Sequence, residues 1–458
     1  MSNQNRPTGM LGFTFVWLGQ IISVLASGMT TFAFTIYMYQ QTHSATAMGL
    51  VQVAYITPFL IMSPIAGVMV DRYDRKLMMM VSDIAGGLAS LIMLILLVTG
   101  HLQFWHLYVA SVVKGIGTTF QWPAYSAAIS IMIPKQQYGR VNGMMSLVEA
   151  GPGVVSPLLA GSLLPFIGIS GILLADTLTF AVAILSLLLV YIPNPTRRTE
   201  DSESRESFWQ QAIFGFKYIF ARPSLLGLQL VFFFSNLFAG IGIVVLAPMV
   251  LARTGQNSVA LGSVESAAAV GMVIGGIAMS AWGGFKRRVH GVLLGMIFTA
   301  IFTNLLLGLG STTAIWIPAM FLGGLFIPFI NGSNQAIWQA KVPPDLQGRV
   351  FSSRRLIAWL TNPISPIIGG TTADYLLEPM MKSQSNGFAR LMEPAFGSGP
   401  GSGMAVLIFL CGFGGILAGL SGYFVRWVRD AEDILPDHDA TPVTNPDDQT
   451  KPDLIPNN

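Results

Sequence analysis

Charge is what this sequence has least of. Only 10% of its 458 residues are Asp, Glu, Lys or Arg, against roughly 25% in an ordinary soluble protein. A soluble chain of this length would split into several domains and would need far more charge to keep their surfaces in water. The scarcity excludes a cytosolic enzyme and puts lipid where water would be. Cysteine is scarcer still. Cys411 stands alone, which excludes an intramolecular disulfide and a cysteine metal cluster and leaves the redox compartment open. Histidines are scattered, with neither HExxH nor Cys/His metal spacing, and no GxxxxGK loop is present, so no metal, no bound cofactor and no ATP-driven stroke are expected. The net charge of +3 is too small to suggest a nucleic-acid partner. What is present is apolar: 52% hydrophobic residues, with 49 Gly and 23 Met, fit crowded membrane helices.

A bilayer core about 30 Å thick takes ~20 apolar residues as a helix, because lipid offers no partner to an unpaired backbone group. Twelve such runs occur, near 12–39, 46–70, 77–99, 102–125, 138–166, 168–192, 224–252, 258–282, 289–310, 313–336, 346–377 and 403–428. The expected fold is therefore an all-α polytopic membrane protein of twelve transmembrane helices. The first run lacks a cleavage site and reads as a retained helix, not a signal peptide. Lys and Arg mark the cytoplasmic loops. They follow runs 2, 4, 8 and 10 (Arg72, Arg75, Lys76; Lys135, Arg140; Lys286, Arg287, Arg288; Lys341, Arg349, Arg354, Arg355), while Arg253, Lys382 and Arg390 break the asymmetry. Both termini are expected in the cytoplasm, with the chain in the cell membrane as a monomer whose partners are the bilayer and a small-molecule substrate.

Four segments follow: a six-helix bundle over 1–192, a linker over 193–223 with an amphipathic interfacial helix, a second bundle over 224–428, and an acidic, disordered tail over 429–458. In the linker helix Phe208, Ala212, Phe216 and Phe220 form the apolar stripe, widened by Ile213 and Ile219. Without residues 430–458, 24 basic residues face 14 acidic ones, a body of +10. The two bundles are duplicates: Pro134, Gly139, Arg140, Val141, Ser156, Pro157 and Gly161 match Pro343, Gly348, Arg349, Val350, Ser365, Pro366 and Gly370, each pair 209 residues apart. Two such copies around a central cavity can rock, exposing one site to each side in turn, with energy from an ion gradient or from the substrate's own.

The turn after run 2 holds Gly67, Asp71, Arg72, Asp74, Arg75 and Lys76. It resembles the G-x-x-x-D-R-x-G-R-K loop of the major facilitator superfamily, with Asp74 where Gly is usual. The resemblance implies that Asp71 latches the cytoplasmic gate against a helix N-terminus of the other half. Phe15, Trp17, Gly19 and Gln20, then Phe120, Pro123, Ala124, Val141, Asn142 and Gly143, then Leu174 to Asp176, and Gly397 to Gly401 look like the macrolide-efflux type of drug exporters. That likeness implies secondary active export of an amphipathic small molecule, drug or macrolide-like, in exchange for protons. A siderophore exporter or a lysophospholipid flippase on the same fold is the alternative. The helix 5 antiporter signature survives only as Gly151, Pro152 and Gly153 followed by Ser156, Pro157 and Gly161. Because Ser365, Pro366 and Gly370 repeat it, it reads as a helix-bending and packing device.

Charges inside a membrane are functional candidates by default. Asp83 lies within two turns of Arg75 and Lys76 and reads as a structural partner of the gate loop. Asp176 reads as a packing or capping residue that is also a proton-coupling candidate, as are Lys114 and Glu265. Glu149 is the foremost candidate, because its counterpart in the duplicate is Ala358 and a carboxylate in a low-dielectric cavity can hold and release a proton. The alternative for Glu149 is a static pair with Lys114. Trp17, Gln20, Asn236, Asn334 and Gln335 are candidate cavity groups for stacking and hydrogen bonding.

Overall fold

The computed structural model describes residues 9–134, 137–192, 208–383 and 386–437, and every regular element among them is helical. Nine of these helices are long and apolar enough to cross a membrane. The chain begins with α1 (Gly9–Thr42), α2 (Ala45–Arg72), α3 (Arg75–Val98) and α4 (Phe104–Met132), of which α4 is not among the nine. Short side-chain caps separate them. Ser44 accepts from Ala47 N–H to start α2, and Asp74 accepts from Leu77 N–H to start α3. The residue that departs from the usual loop pattern is thus an N-cap.

α5 (Tyr138–Leu189) runs for 52 residues, about 78 Å at 1.5 Å per residue and more than twice the thickness of a bilayer core. It bends at Gly168, whose φ of 64° is open to glycine and strained for other residues. The bend falls between the fifth and sixth apolar runs.

α6 (Phe208–Phe220) follows the linker, then α7 (Pro223–Val244), α8 (Leu246–Arg253) and α9 (Ser258–Trp282). α10 (Arg288–Thr299) passes through a π-helical stretch, Ala300–Leu306, into α11 (Leu307–Leu309). After α12 (Thr313–Lys341), the next apolar run is broken into α13 (Pro344–Trp359), α14 (Thr361–Thr371), a second π-helical stretch Thr372–Leu377, and α15 (Glu378–Ser383). α16 (Gly387–Phe396), α17 (Ser402–Phe424), α18 (Arg426–Arg429) and α19 (Ala431–Ile434) complete the described chain.

α1 packs along α5, α2 along α4, and α3 along both α4 and α5; in the later chain α7 packs on α17 and α14, and α12 on α9 and α10. The main joins between the early helices and the late ones are α5 with α9 and α2 with α14. They are built alike. Ser156 Oγ–H donates to Leu25 O of α1 (2.8 Å), and Ser365 Oγ–H donates to Leu237 O of α7 (3.3 Å). A Cβ on Gly28 would stand 2.5 Å from Ser156 Oγ, and one on Gly240 the same 2.5 Å from Ser365 Oγ. Across the joins, a Cβ on Gly161 would meet Ser258 O at 2.6 Å and one on Gly370 would meet Thr46 Cα at 2.5 Å. The duplicated motif is a device for backbone approach, and glycine is required because the facing atoms are main chain.

One expectation changes. Residues 426–437 are folded, not disordered: buried Lys341 donates to Glu432 O and Leu435 O and pairs with Asp437 at 2.7 Å, while Arg287 pairs with Asp433 and Glu432 accepts from Val289 N–H (3.0 Å). A lysine with three acceptors on one segment fixes that segment. Residues 438–458, the rest of the expected tail, and 193–207, the polar part of the linker, lie outside the described residues. The stretch between the last two apolar runs forms α15 and α16, the latter capped by Asn386 accepting from Ala389 N–H (2.8 Å). In α6, Gly215, Tyr218 and Ile219 are buried, Phe214 lies under Arg349, Phe216 is half-buried and Phe220 exposed, while the side chains of Phe208, Ala212 and Ile213 lie outside the described residues.

Candidate functional site

A cavity of about 820 Å³ lies among α1, α2, α3, α4, α5 and α9. Its apolar wall includes Phe32, Tyr55, Trp122 and Phe180, and its polar wall Gln20, Ser27, Lys114 and Gln121. Glu265, seven residues into α9, faces these groups from the other side. The volume falls in the ~300–1,000 Å³ range of small-molecule sites, and a mostly apolar wall with a few convergent polar groups suits an amphipathic guest.

Two hydrogen-bonded clusters back the polar wall. In the first, Gln20 Nε2 donates to Asp83 Oδ2 (2.8 Å), and Gln121 Nε2 donates both to Asp83 Oδ1 (2.6 Å) and to Gln20 Oε1 (2.7 Å). Asp83 is 1% exposed. The expected pairing of Asp83 with the gate loop is not formed. Lys76 turns instead to the end of α5, donating to Val190 O at 2.7 Å, and Asp83 takes amide donors from α1 and α4. Its carboxylate has no cationic partner among the described residues. Charge held in this way by neutral amides is costly to bury.

In the second cluster Asp176, fully buried, accepts from Ser27 Oγ–H (2.8 Å), Ser90 Oγ–H (2.7 Å) and Lys114 Nζ (3.3 Å). One carboxylate so ties α1, α3 and α4 to the second arm of α5. Lys114, one of the cavity cations read from sequence, is thereby neutralised by an acid behind the wall.

The remaining candidates divide by position. Pro152, Ser156 and Pro157 line the cavity, with Gly151 next to them in the chain. Trp17 instead donates its Nε1–H to Met144 O (2.8 Å), fastening α1 to the start of α5. Asn334 accepts from Trp338 Nε1–H (3.0 Å) within α12. Asn236 and Gln335 are half-buried and belong to α7 and α12, away from the residues that line the cavity. The side chains of Gly67, Asp71, Arg72 and Glu149 lie outside the described residues. Gln121, Ser27 and Ser90 are site residues that sequence reasoning missed.

Arg253, which broke the charge asymmetry, is a structural tie: its guanidinium donates to Gly310 O (2.9 Å) and Phe396 O (2.8 Å), binding three connections together. The Gly397 to Gly401 segment has a similar explanation. It lets the buried Glu378 carboxylate accept from Gly401 N–H (2.7 Å) and Gly403 N–H (2.9 Å) at the start of α17, where helix N–H groups otherwise lack partners.

Comparisons with known proteins agree with this architecture. Macrolide efflux protein A of Streptococcus pyogenes is 27% identical over 367 residues, which cover 80% of this chain and 90% of that protein. Enterobactin exporter EntS of Salmonella typhi is 22% identical over 347 residues, covering 74% of this chain and 80% of the exporter. Among solved structures, a bacterial homologue of the iron transporter ferroportin superposes with a TM-score of 0.65 at 14% identity, covering 91% of this chain and 98% of that one. Residues 16–376 match the sequence pattern of the Major Facilitator Superfamily, and the chain is a membrane transporter belonging to that family.

Proposed function

We propose that this protein is a secondary exporter of amphipathic small molecules, working by alternating access and exchanging substrate for protons. The observation that carries the reading is the cavity, drug-sized and largely apolar, with Glu265 open to it and Asp83 behind two of its wall amides. The relatives named for macrolide efflux support the substrate class. Counting the arms of α5 separately and adding α4 and the run from α14 through the second π stretch brings the spans to twelve, as two six-helix bundles. In this reading the loops rich in Lys and Arg, and both termini, are cytoplasmic, the membrane is that of the cell, and the chain acts as a monomer.

Asp83 and Glu265 are the proposed proton carriers, since each is an acid without a cation among the described residues. Asp176 is neutralised by Lys114 and serves to hold the bundle. Glu149 keeps its place as a candidate by sequence position.

The test is efflux of a macrolide and of a fluorescent amphipathic dye from cells expressing wild type, Asp83→Asn, Glu265→Gln or Glu149→Gln. Wild type lowers accumulation, a protonophore abolishes the effect, and Asp83→Asn and Glu265→Gln each reduce efflux at least tenfold. Efflux that persists after the proton gradient collapses removes antiport, and a variant equal to wild type removes that residue. The similarity to the enterobactin exporter supports a second reading, export of a siderophore. Secretion of a catecholate siderophore by an exporter-deficient host, with no change in dye or macrolide accumulation, selects it.

A further inference from the structure

We propose that Asp374 is a positioning residue for transport: a one-sided latch that holds the outer ends of α2 and α14 together and sets how often the cavity opens outward. The proposal rests on the alternating-access reading above.

Three donors converge on this carboxylate from the start of α2. Ser44 Oγ–H donates to Oδ2 (2.6 Å), Ala45 N–H to Oδ1 (3.0 Å) and Thr46 N–H to Oδ2 (2.8 Å). Ala45 and Thr46 are the first two residues of α2, so their N–H groups have no partner within the helix. An anion there also meets the positive end of the helix dipole. Ser44 serves both sides, donating to Asp374 while accepting from Ala47 N–H (3.1 Å). The acid reaches α2 because Gly370, one turn earlier, already brings the two backbones together at Thr46. Asp374 also lies in the π-helical stretch Thr372–Leu377, a winding that is rare and concentrates at functional positions.

The duplication separates latch from scaffold. The join between α5 and α9 repeats the join between α14 and α2, glycine for glycine and serine for serine. Subtracting the repeat offset of 209 from 374 gives Pro165, which carries no acid. The start of α9 is capped by its own Asn257, which accepts from Ala260 N–H (3.0 Å). The α5–α9 join is closed by packing and by two hydroxyl donors to main chain, Ser258 Oγ–H to Gly161 O (3.0 Å) and Ser266 Oγ–H to Val154 O (2.8 Å), with no carboxylate, so the shared architecture did not require the acid on the other. Contact between α2 and the late helices continues inward to Phe59 and Trp359, whose rings lie 5.3 Å apart near mid-helix. Opening the outer side has to part this seam, and Asp374 holds its outer end.

The experiment measures distance and transport on the full chain. Cys411 is the only cysteine, so Cys411→Ser gives a background for spin labels at Gln41→Cys and Arg390→Cys, both exposed and carried by the early and late helices at this end. In lipid nanodiscs, without substrate or gradient, wild type is expected to show one short distance. Asp374→Ala adds a longer one, shifting the ratio of open to closed at least tenfold; Asp374→Asn shifts it less, and Asp374→Glu restores the short distance. Thermal unfolding identifies the folded variants, and Asp374→Asn serves if Asp374→Ala does not fold. In transport, the folded variants change kcat with little change in KM, since Asp374 lies outside the cavity lining. Distances unchanged in Asp374→Ala and Asp374→Asn overturn the latch, whether or not transport is lost. A seam that opens as expected in a protein that exports none of the tested compounds upholds the latch and defeats the export reading instead.

Discussion

Lys114→Met tests the second cluster most directly. Lys114 and Asp176 stand 3.3 Å apart, with side chains 16% and 0% exposed. At an effective dielectric of about 20 their attraction is about 5 kcal/mol, and removing one partner of a buried pair typically costs about 3–5 kcal/mol. The two partners are not equivalent. Without Lys114, Asp176 remains sealed with only Ser27 and Ser90 as donors. Without the acid, Lys114 can turn to water, because it lines the cavity. Lys114→Met should therefore destabilise by about 3–5 kcal/mol, Asp176→Asn by clearly less, and the double variant should recover most of the loss. With an unfolding entropy of about 2.1 cal/mol/K per residue, each kcal/mol moves the midpoint of a chain this long by about 1 °C. The expected drop for Lys114→Met is therefore several degrees, measured by thermal unfolding in detergent across the full cycle. Equal losses in the two single variants, or a double variant worse than either, would refute the argument that the buried charge governs the cost.

Other outcomes follow from the same geometry. Gly161→Leu and Gly370→Leu drive a side chain into the main chain of Ser258 and Thr46, so each should part its seam, abolish transport and lengthen the distance between labels at the outer ends. Arg253→Ala removes two charge-assisted hydrogen bonds at once and should cost about 3 kcal/mol in thermal unfolding, with cavity binding by dye fluorescence unchanged. Ending the chain after Asp430 strips buried Lys341 of its acceptors and should lower the midpoint by several degrees relative to a chain ending after Asp437.

The apolar runs are legible because lipid demands long uninterrupted helices, and the bend at Gly168 falls where the fifth run meets the sixth. The duplicated Ser156–Gly161 and Ser365–Gly370 motifs are also legible as packing devices, since a feature required by both copies cannot be specific to one reaction. The partners of Asp83 and Asp176 are not legible from neighbouring sequence. Proximity along the chain favours Arg75 and Lys76, yet seven or eight residues of helix rise about 10–12 Å, and Lys76 turns the other way, to Val190 O. Depth is the signal that finds the cluster. Gln20 and Asp83 lie 11 and 8 residues from the starts of α1 and α3, and Gln121 lies 11 from the end of α4, all measured from one side. Polar residues at one level of neighbouring spans are candidates to meet, because an unpaired one is expensive there. The outer seam escapes even this test, since Asp374 answers main-chain donors that no residue type betrays.

The cavity wall has one further consequence. Its amides and lysine come from α1 and α4 and its hydroxyls from α1 through α5, whereas Glu265 is the contribution of the late helices. On the proposed reading, recognition then rests chiefly with the first half, and the late helices supply chiefly the surface against which it moves. A chimera that exchanges residues 1–192 between two such transporters should in that case inherit its choice of cargo from the donor of that half.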